Sequence, residues 1–177
     1  RMTWDNALND LFNNLRMVVI PLVNPTGYFN FRRSNINGVD LMRNSPVKAI
    51  EDVPPLVGGQ RLSPRLPWFQ GHPDSFEPEN QAVIEAFEQE VKASRCAIAL
   101  DFHSGFGLKD RLWFPYSYTT KPFESLPELH ALTYLFEQTH PYHIYQIEPQ
   151  SHGYLLNGDM WDYLYLDFRK TAGDRIF

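Results

Sequence analysis

Apolar positions along the chain recur at two different spacings, and the switches between them lay out an alternation of helices and strands. Leu8, Leu11, Phe12 and Leu15 fall on one face at helical spacing, so Asp5 to Leu15 is expected to be a helix. It runs into Met17-Val18-Val19-Ile20-Pro21-Leu22-Val23, a β-branched run that suits a buried strand. Asn24-Pro25-Thr26-Gly27 then breaks the chain with turn chemistry. Val83, Ile84, Phe87 and Val91 make an apolar stripe across Glu77 to Ala93, a second helix with Pro78 tolerated near its start. Cys96 to Leu100 reads as a second buried strand, Leu112 to Tyr116 as a third and Tyr142 to Ile147 as a fourth. Pro127 to Thr139 is expected to be a helix with Leu129, Leu132, Leu135 and Phe136 inward, and Asp159 to Phe168 a short aromatic helix or turn. Strands alternating with helices predict an α/β protein with a mixed, at least partly parallel sheet. From Ser45 to Asp74 prolines and glycines crowd together, which predicts one long irregular loop inside a single domain spanning residues 1–177.

Composition narrows the function classes. The 177 residues suffice for a sizeable core. Lys and Arg total 16 against 21 Asp and Glu, a formal charge of −5, which argues against a nucleic-acid or anionic-membrane partner. No apolar run approaches the roughly 20 residues of a membrane-spanning helix, and Arg1 to Asp10 lacks a signal-peptide apolar region. The single cysteine, Cys96, excludes an internal disulfide framework and an all-cysteine zinc site, and suits a cytoplasmic compartment.

Ligands in α/β sheets bind beyond the carboxyl ends of strands, so polar residues that follow buried strands are the first candidates. Two segments qualify. Asp101-Phe102-His103-Ser104 follows the second strand, and a histidine there can turn a ring nitrogen into a cleft to ligate a metal, or simply be satisfied by a neighbouring carboxylate. Arg32 to Asn44 follows the first strand and carries three arginines and three asparagines around Gly38 and Asp40. Arginine forks bind carboxylates bidentately or stabilise an oxyanion, whereas the asparagines and glycine would equally serve a solvated turn.

Taken together these segments resemble the zinc carboxypeptidase family. Asn24-Pro25-Thr26-Gly27-Tyr28 followed by Arg33-Ser-Asn-Ile-Asn-Gly-Val-Asp-Leu-Met-Arg43-Asn44 is similar to that family's Asn-Pro-Asp-Gly and Gly-Val-Asp-Leu-Asn-Arg-Asn signature. Phe76 to Ala82 resembles the helix start that follows, Asp101 to Ser104 the segment with the last zinc-binding histidine, and Tyr154-Leu-Leu-Asn-Gly158 with Trp161 and Tyr163 the mobile tyrosine loop. The resemblance implies a three-layer sandwich with helices on both faces of the sheet. It implies His103 as a zinc ligand and Asp40 as the acceptor that orients a ligand histidine. Arg33 would polarise the scissile carbonyl, Arg43 pair with a terminal carboxylate, Tyr154 close over the bound end, and Ser104 line the cleft. The implied reaction is zinc-dependent hydrolysis of a C-terminal peptide or related amide bond, with a peptide or amino-acid amide as substrate.

Two departures bear on that expectation. Met42 stands where the family has asparagine and cannot donate a hydrogen bond, so recognition of a free α-carboxylate is expected to be weakened or altered. The turn reads Asn-Pro-Thr-Gly, a minor change. None of the six histidines (72, 103, 130, 140, 143, 152) precedes a glutamate by three residues, so the family's His-x-x-Glu ligand pair is not found in this chain. The resemblance therefore implies the central part of a catalytic domain, lacking part of the active site and inactive by itself, since a catalytic zinc needs three protein ligands. His140 and His143 flank Pro141 and are expected to end a helix rather than hold a metal. His152 is expected at the cleft mouth, and nothing in its spacing singles out Glu148 as a base. The alternative is a non-catalytic relative that binds peptide or amino-acid carboxylates through Arg33 and Arg43.

Overall fold

A computed structural model describes residues 13–92, 94–103, 108–171, 173 and 176. Along the chain come α1 (Pro25–Phe29), a 3-10 turn (Leu41–Arg43), α2 (Pro78–Glu90), β1 (Arg111–Phe114), α3 (Leu126–Thr139), β2 (Gln146–Pro149), a second 3-10 turn (Gln150–His152) and α4 (Met160–Thr171). The class is α/β, as the alternation predicts. β1 and β2 pair in parallel, Arg111 opposite Gln146 and Phe114 opposite Pro149. Parallel strands cannot be joined by a tight hairpin, and α3 makes the crossover. Pro115 and Pro149 have no N–H to extend either strand, which sets their ends close to the expected ones. No described helix is long and apolar enough to cross a membrane.

The core lies between α2 and α4. Pro78 enters α2 at its first turn, and Ile84 and Phe87 face Met160, Leu164 and Phe168, which stand at i, i+4 and i+8 on α4. Phe168 is fully buried and Leu164 is 2% exposed. Fully burying a side chain of this size is worth about 1.5–3 kcal/mol, so these five residues hold the two helices together. Beside them Tyr116, Phe123 and Tyr165 pack edge-on or tilted, with ring centroids 4.7–5.8 Å apart, and the Ser125 hydroxyl meets the Tyr165 phenol at 2.8 Å.

Several expected elements differ. Residues 17–23 form no strand: Met17 and Val19 are 68% and 67% exposed, and no described backbone pairs with them. Cys96 makes a single parallel bridge with Ile176, while residues 97–100 stay irregular and Ile98 and Leu100 are exposed. A buried strand is completed by neighbours on both sides, and the described residues supply neither run with them. The fourth strand begins at Gln146 rather than Tyr142, because His143 donates back to the His140 carbonyl and continues the turn after α3. Tyr142 and Ile144 are consequently exposed. Leu135 points outward, and α3 has no buried residue. Asn24-Pro25-Thr26-Gly27 opens a short helix instead of a bare turn, with the Asn24 side chain accepting from Gly27 N–H at 2.8 Å. Of the expected helix over Asp5 to Leu15, all but residues 13–15 lie outside the described residues. The long segment over 45–74 holds no helix or strand, only one bridge between Gln60 and Phe69.

Candidate functional site

The segment Arg32 to Asn44 folds as a knot of side chain to backbone bonds. Asn35, fully buried, accepts from the N–H groups of Asn37 and Val39, both at 3.0 Å, and closes the turn on which Gly38 sits at φ +79°. Its amide donates to Glu77 at 2.7 Å and to Glu79 at 3.1 Å, tying the turn to the start of α2. Asn44 works from the other end, accepting from Glu77 N–H at 2.7 Å and donating to the Gln70 carbonyl at 2.9 Å. Sequence reasoning missed these two staples. The residue types fit turns as well as they fit long-range braces, and only the tertiary contacts distinguish the two uses.

Braced in this way, the segment presents one carboxylate to two guanidinium groups. Asp40 Oδ2 accepts from Arg33 Nε at 2.7 Å and from Arg43 Nη1 at 2.9 Å, while Oδ1 accepts from the Met42 N–H at 3.2 Å. Asp40 is 3% exposed, and no described histidine donates to it. The two arginines differ sharply. The Arg43 side chain is 3% exposed, whereas that of Arg33 is 54% exposed with its terminal nitrogens unpaired among the described residues. Arg43 also donates through Nε and Nη2 to the Val57 carbonyl, at 3.1 and 2.9 Å, and through Nη2 to the Tyr154 phenol at 3.3 Å. So Arg33, Asp40, Arg43 and Tyr154 lie in one hydrogen-bonded cluster, with Asp40 paired to the arginines where the sequence reading expects a ligand histidine.

His103 lies beside this group. Its Nε2 is 3.0 Å from Asp101 Oδ2, and the same oxygen accepts from the Trp161 indole N–H at 2.9 Å, so α4 reaches across to hold the pair. The hydrogen bond to Asp101 raises the imidazole pKa above its ordinary value against the opposing effect of burial, and the charges of Arg33 and Asp40 both act on the ring. Burial pushes the Asp101 carboxyl up, but the bonds from His103 and Trp161 outweigh it and hold it below the usual range. With Nε2 engaged, Nδ1 is the nitrogen left for another partner. Nothing in the sequence pattern announces the Trp161–Asp101 link, which spans 60 residues. Ser104 lies outside the described residues.

The tyrosine segment is fastened to the arginine segment rather than hanging beside it. Gly158 accepts from Ser45 N–H at 3.0 Å and donates to the Val47 carbonyl at 2.7 Å, and Asn157 Oδ1 accepts from Ala49 N–H at 2.9 Å. Behind it two buried carboxyls open α4. Asp159 accepts from Asp162 N–H at 2.9 Å, and Asp162 accepts from the Ser117 N–H, the Ser117 hydroxyl and the Tyr118 N–H. Burial and the neighbouring Asp162 charge push Asp159 up to about 7.

Among the described residues no three His, Cys, Asp or Glu side chains cluster so as to hold a metal ion. His103 alone is not a zinc site, and the nearby carboxylates are already engaged, Asp101 by His103 and Trp161 and Asp40 by two arginines. The described residues therefore do not by themselves fit the metal that the sequence resemblance implies.

Comparison with known proteins gives this arrangement a context. The solved structure of thrombin activatable fibrinolysis inhibitor superposes with a TM-score of 0.63 at 23% identity, over 89% of this chain and 41% of that one. Bovine thrombin-activatable fibrinolysis inhibitor, solved in complex with tick carboxypeptidase inhibitor, gives 0.58 at 22% identity, over 89% of this chain and 55% of its own. At these identities the likeness establishes the fold, and the chain spans about half the length of these neighbours. No curated protein matches the chain significantly. The family model for zinc carboxypeptidases matches residues 2–172, nearly the whole sequence. The arginine segment, the histidine after it and the tyrosine segment thus sit in a shared fold and a shared sequence pattern, and the chain belongs to the zinc carboxypeptidase family.

Proposed function

We propose that this chain is the central part of a metallocarboxypeptidase-type hydrolase that cleaves a C-terminal peptide bond or a related amide. The observation that carries this reading is the placement of Arg33. Its Nε is fixed by Asp40 at 2.7 Å while its terminal nitrogens are unpaired among the described residues, close enough to His103 for its charge to act on the ring. A preorganised cation with free donors stabilises the oxyanion that forms when an amide carbonyl is attacked. In this reading His103 is the one described residue that would ligate the family's zinc, through Nδ1, with Asp101 and Trp161 fixing its ring. Asp40 acts through the arginines it positions, and Tyr154 closes over the bound end of the substrate. The substrate is a peptide or amino-acid amide.

The test uses the full-length protein loaded with zinc and a series of N-acylated dipeptides. Arg33→Ala should lower kcat by about 10²–10³-fold, the usual loss for one oxyanion donor, with little change in stability because the side chain is half exposed. Saturable peptide binding without turnover in the wild-type protein would instead support a non-catalytic binding module.

A further inference from the structure

The tyrosine segment is seated by three consecutive backbone donors. Leu156 N–H donates to the Ser117 carbonyl at 3.0 Å, Asn157 N–H to Gly58 at 2.7 Å and Gly158 N–H to Val47 at 2.7 Å, so each bond reaches a different stretch of chain. Ser45 adds two more, from its N–H to the Gly158 carbonyl at 3.0 Å and from its hydroxyl to the Asp159 carbonyl at 2.8 Å. Gly158, at φ +81°, turns the chain into α4. Asp159 is therefore the last residue of the seat and the residue in front of the helix.

Under that junction lies a pair of buried acids. Asp159 is 9% exposed and Asp162 1%. Asp162 is well supplied with donors, taking the Ser117 N–H, the Ser117 hydroxyl and the Tyr118 N–H on Oδ2. Asp159 accepts from the Asp162 N–H at 2.9 Å, and among the described residues no side chain donates to its carboxyl. The charged groups that act on it are Asp162 on α4 and Arg43 of the arginine segment, the latter already paired with Asp40 at 2.9 Å. Tyr118, beyond Asp162, is the remaining titratable group of the cluster, and burial pushes its phenol up. Burial and the Asp162 charge both oppose an ionised Asp159, and Arg43 offsets them only in part.

We infer that the proton on Asp159 keeps the tyrosine segment in its seat, and that ionisation of this carboxyl releases the segment, and Tyr154 with it, toward solvent. Release lets water reach the carboxylate, so the released form ionises near the ordinary value of 3.8 and the seated form near 7. Below about pH 4 both forms hold the proton and the seat is firmest. Between the two values the released form gains about tenfold per pH unit, and above about 7 both forms are ionised and the gain stops.

Hydrogen–deuterium exchange on the zinc-loaded full-length protein tests this, read by mass spectrometry on peptides over 154–159 and 84–90 and corrected for the intrinsic pH dependence of exchange. The 154–159 peptide should lose at least about tenfold in protection between pH 5 and pH 7, and little more by pH 8. The 84–90 peptide, from α2, should stay the better protected at every pH. In Asp159→Asn, which cannot ionise and keeps an acceptor for the Asp162 N–H, protection of 154–159 should change less than about twofold over the same range. Ser45→Ala removes the hydroxyl bond to the Asp159 carbonyl and leaves both acids, so it should lower protection at every pH and keep the slope. A wild-type segment whose protection does not change with pH overturns the inference, as does a slope that survives in Asp159→Asn or vanishes in Ser45→Ala. Loss of protection in step at 154–159 and 84–90 overturns it too, because the event is then global unfolding.

Discussion

Replacing Asp40 with asparagine tests what the buried carboxylate does. The substitution keeps the size of the side chain and one oxygen, so the bond from the Met42 N–H can persist. It removes the charge that meets Arg43 at 2.9 Å, with both side chains no more than 4% exposed. Removing one partner of a buried ion pair strands the other charge and costs about 3–5 kcal/mol. Arg43 keeps its bonds to Val57 and Tyr154, so the expected loss lies near the lower end, about 3 kcal/mol. For a chain of this length that corresponds to a fall in Tm of roughly 6–12 °C. Urea unfolding of wild type and Asp40→Asn measures it, with Arg33→Gln as control. The 54% exposed Arg33 should cost no more than about 1 kcal/mol. Combining Asp40→Asn with Arg43→Gln should recover part of the loss, since no charge is then left buried. A loss below about 1 kcal/mol for Asp40→Asn would refute the buried-pair account. If zinc affinity fell 10- to 100-fold with stability unchanged, Asp40 would instead be orienting a ligand histidine.

Two further outcomes follow from the same region. Gly158 holds φ +81°, and a Cβ there would drive into the Arg43 backbone carbonyl, so Gly158→Ala should cost more than about 2 kcal/mol and loosen Tyr154 as well; equal unfolding midpoints for the variant and wild type would contradict this. Asp159 binds its proton more tightly folded than unfolded, since burial and Asp162 push it up to about 7 from 3.8. Its contribution to stability is therefore full below about pH 4 and lost as the pH rises to about 7. Asp159→Asn keeps an acceptor for Asp162 N–H and should gain on wild type at pH 8 relative to pH 5, in unfolding measured at both; an equal difference at the two values would count against a buried, neutral carboxyl.

The helices were the legible part of this sequence because each carries its apolar spacing within its own residues, whatever it packs against. The stripes Ile84–Phe87 and Met160–Leu164–Phe168 carry their own period, and Pro78 and Asp159 mark starts that the structure keeps. Strands depend on neighbours. Met17 to Val23 has the composition of a buried strand, but a β-branched run records only that burial is wanted, and no described backbone pairs with it. The arginine segment was legible as a motif and not as a geometry. Its residue types announce anion chemistry for both Arg33 and Arg43, and burial assigns them opposite conditions: one half exposed with its terminal nitrogens unpaired among the described residues, the other enclosed with four N–H groups engaged. The deciding contact, the Val57 carbonyl, is a backbone atom in a loop whose side chain predicts nothing about it.

That contact changes how the long loop should be understood. A segment of some thirty residues without helix or strand is normally a lid or an insertion that tolerates change. Here the stretch around Val57 is bonded on one side to Arg43 and on the other to Asn157, and Gly158 is pressed against the Arg43 backbone. The loop, the arginine segment and the tyrosine segment therefore form one braced unit, in which Arg43 satisfies a loop carbonyl, a phenol and a buried carboxylate at once. A buried guanidinium is stable only when its charge is balanced and its donors are filled. Asp40 balances the Arg43 charge, and the Val57 carbonyl and the Tyr154 phenol take three of its N–H bonds. Arg33, tethered at one nitrogen and open at the other two among the described residues, carries no such constraint.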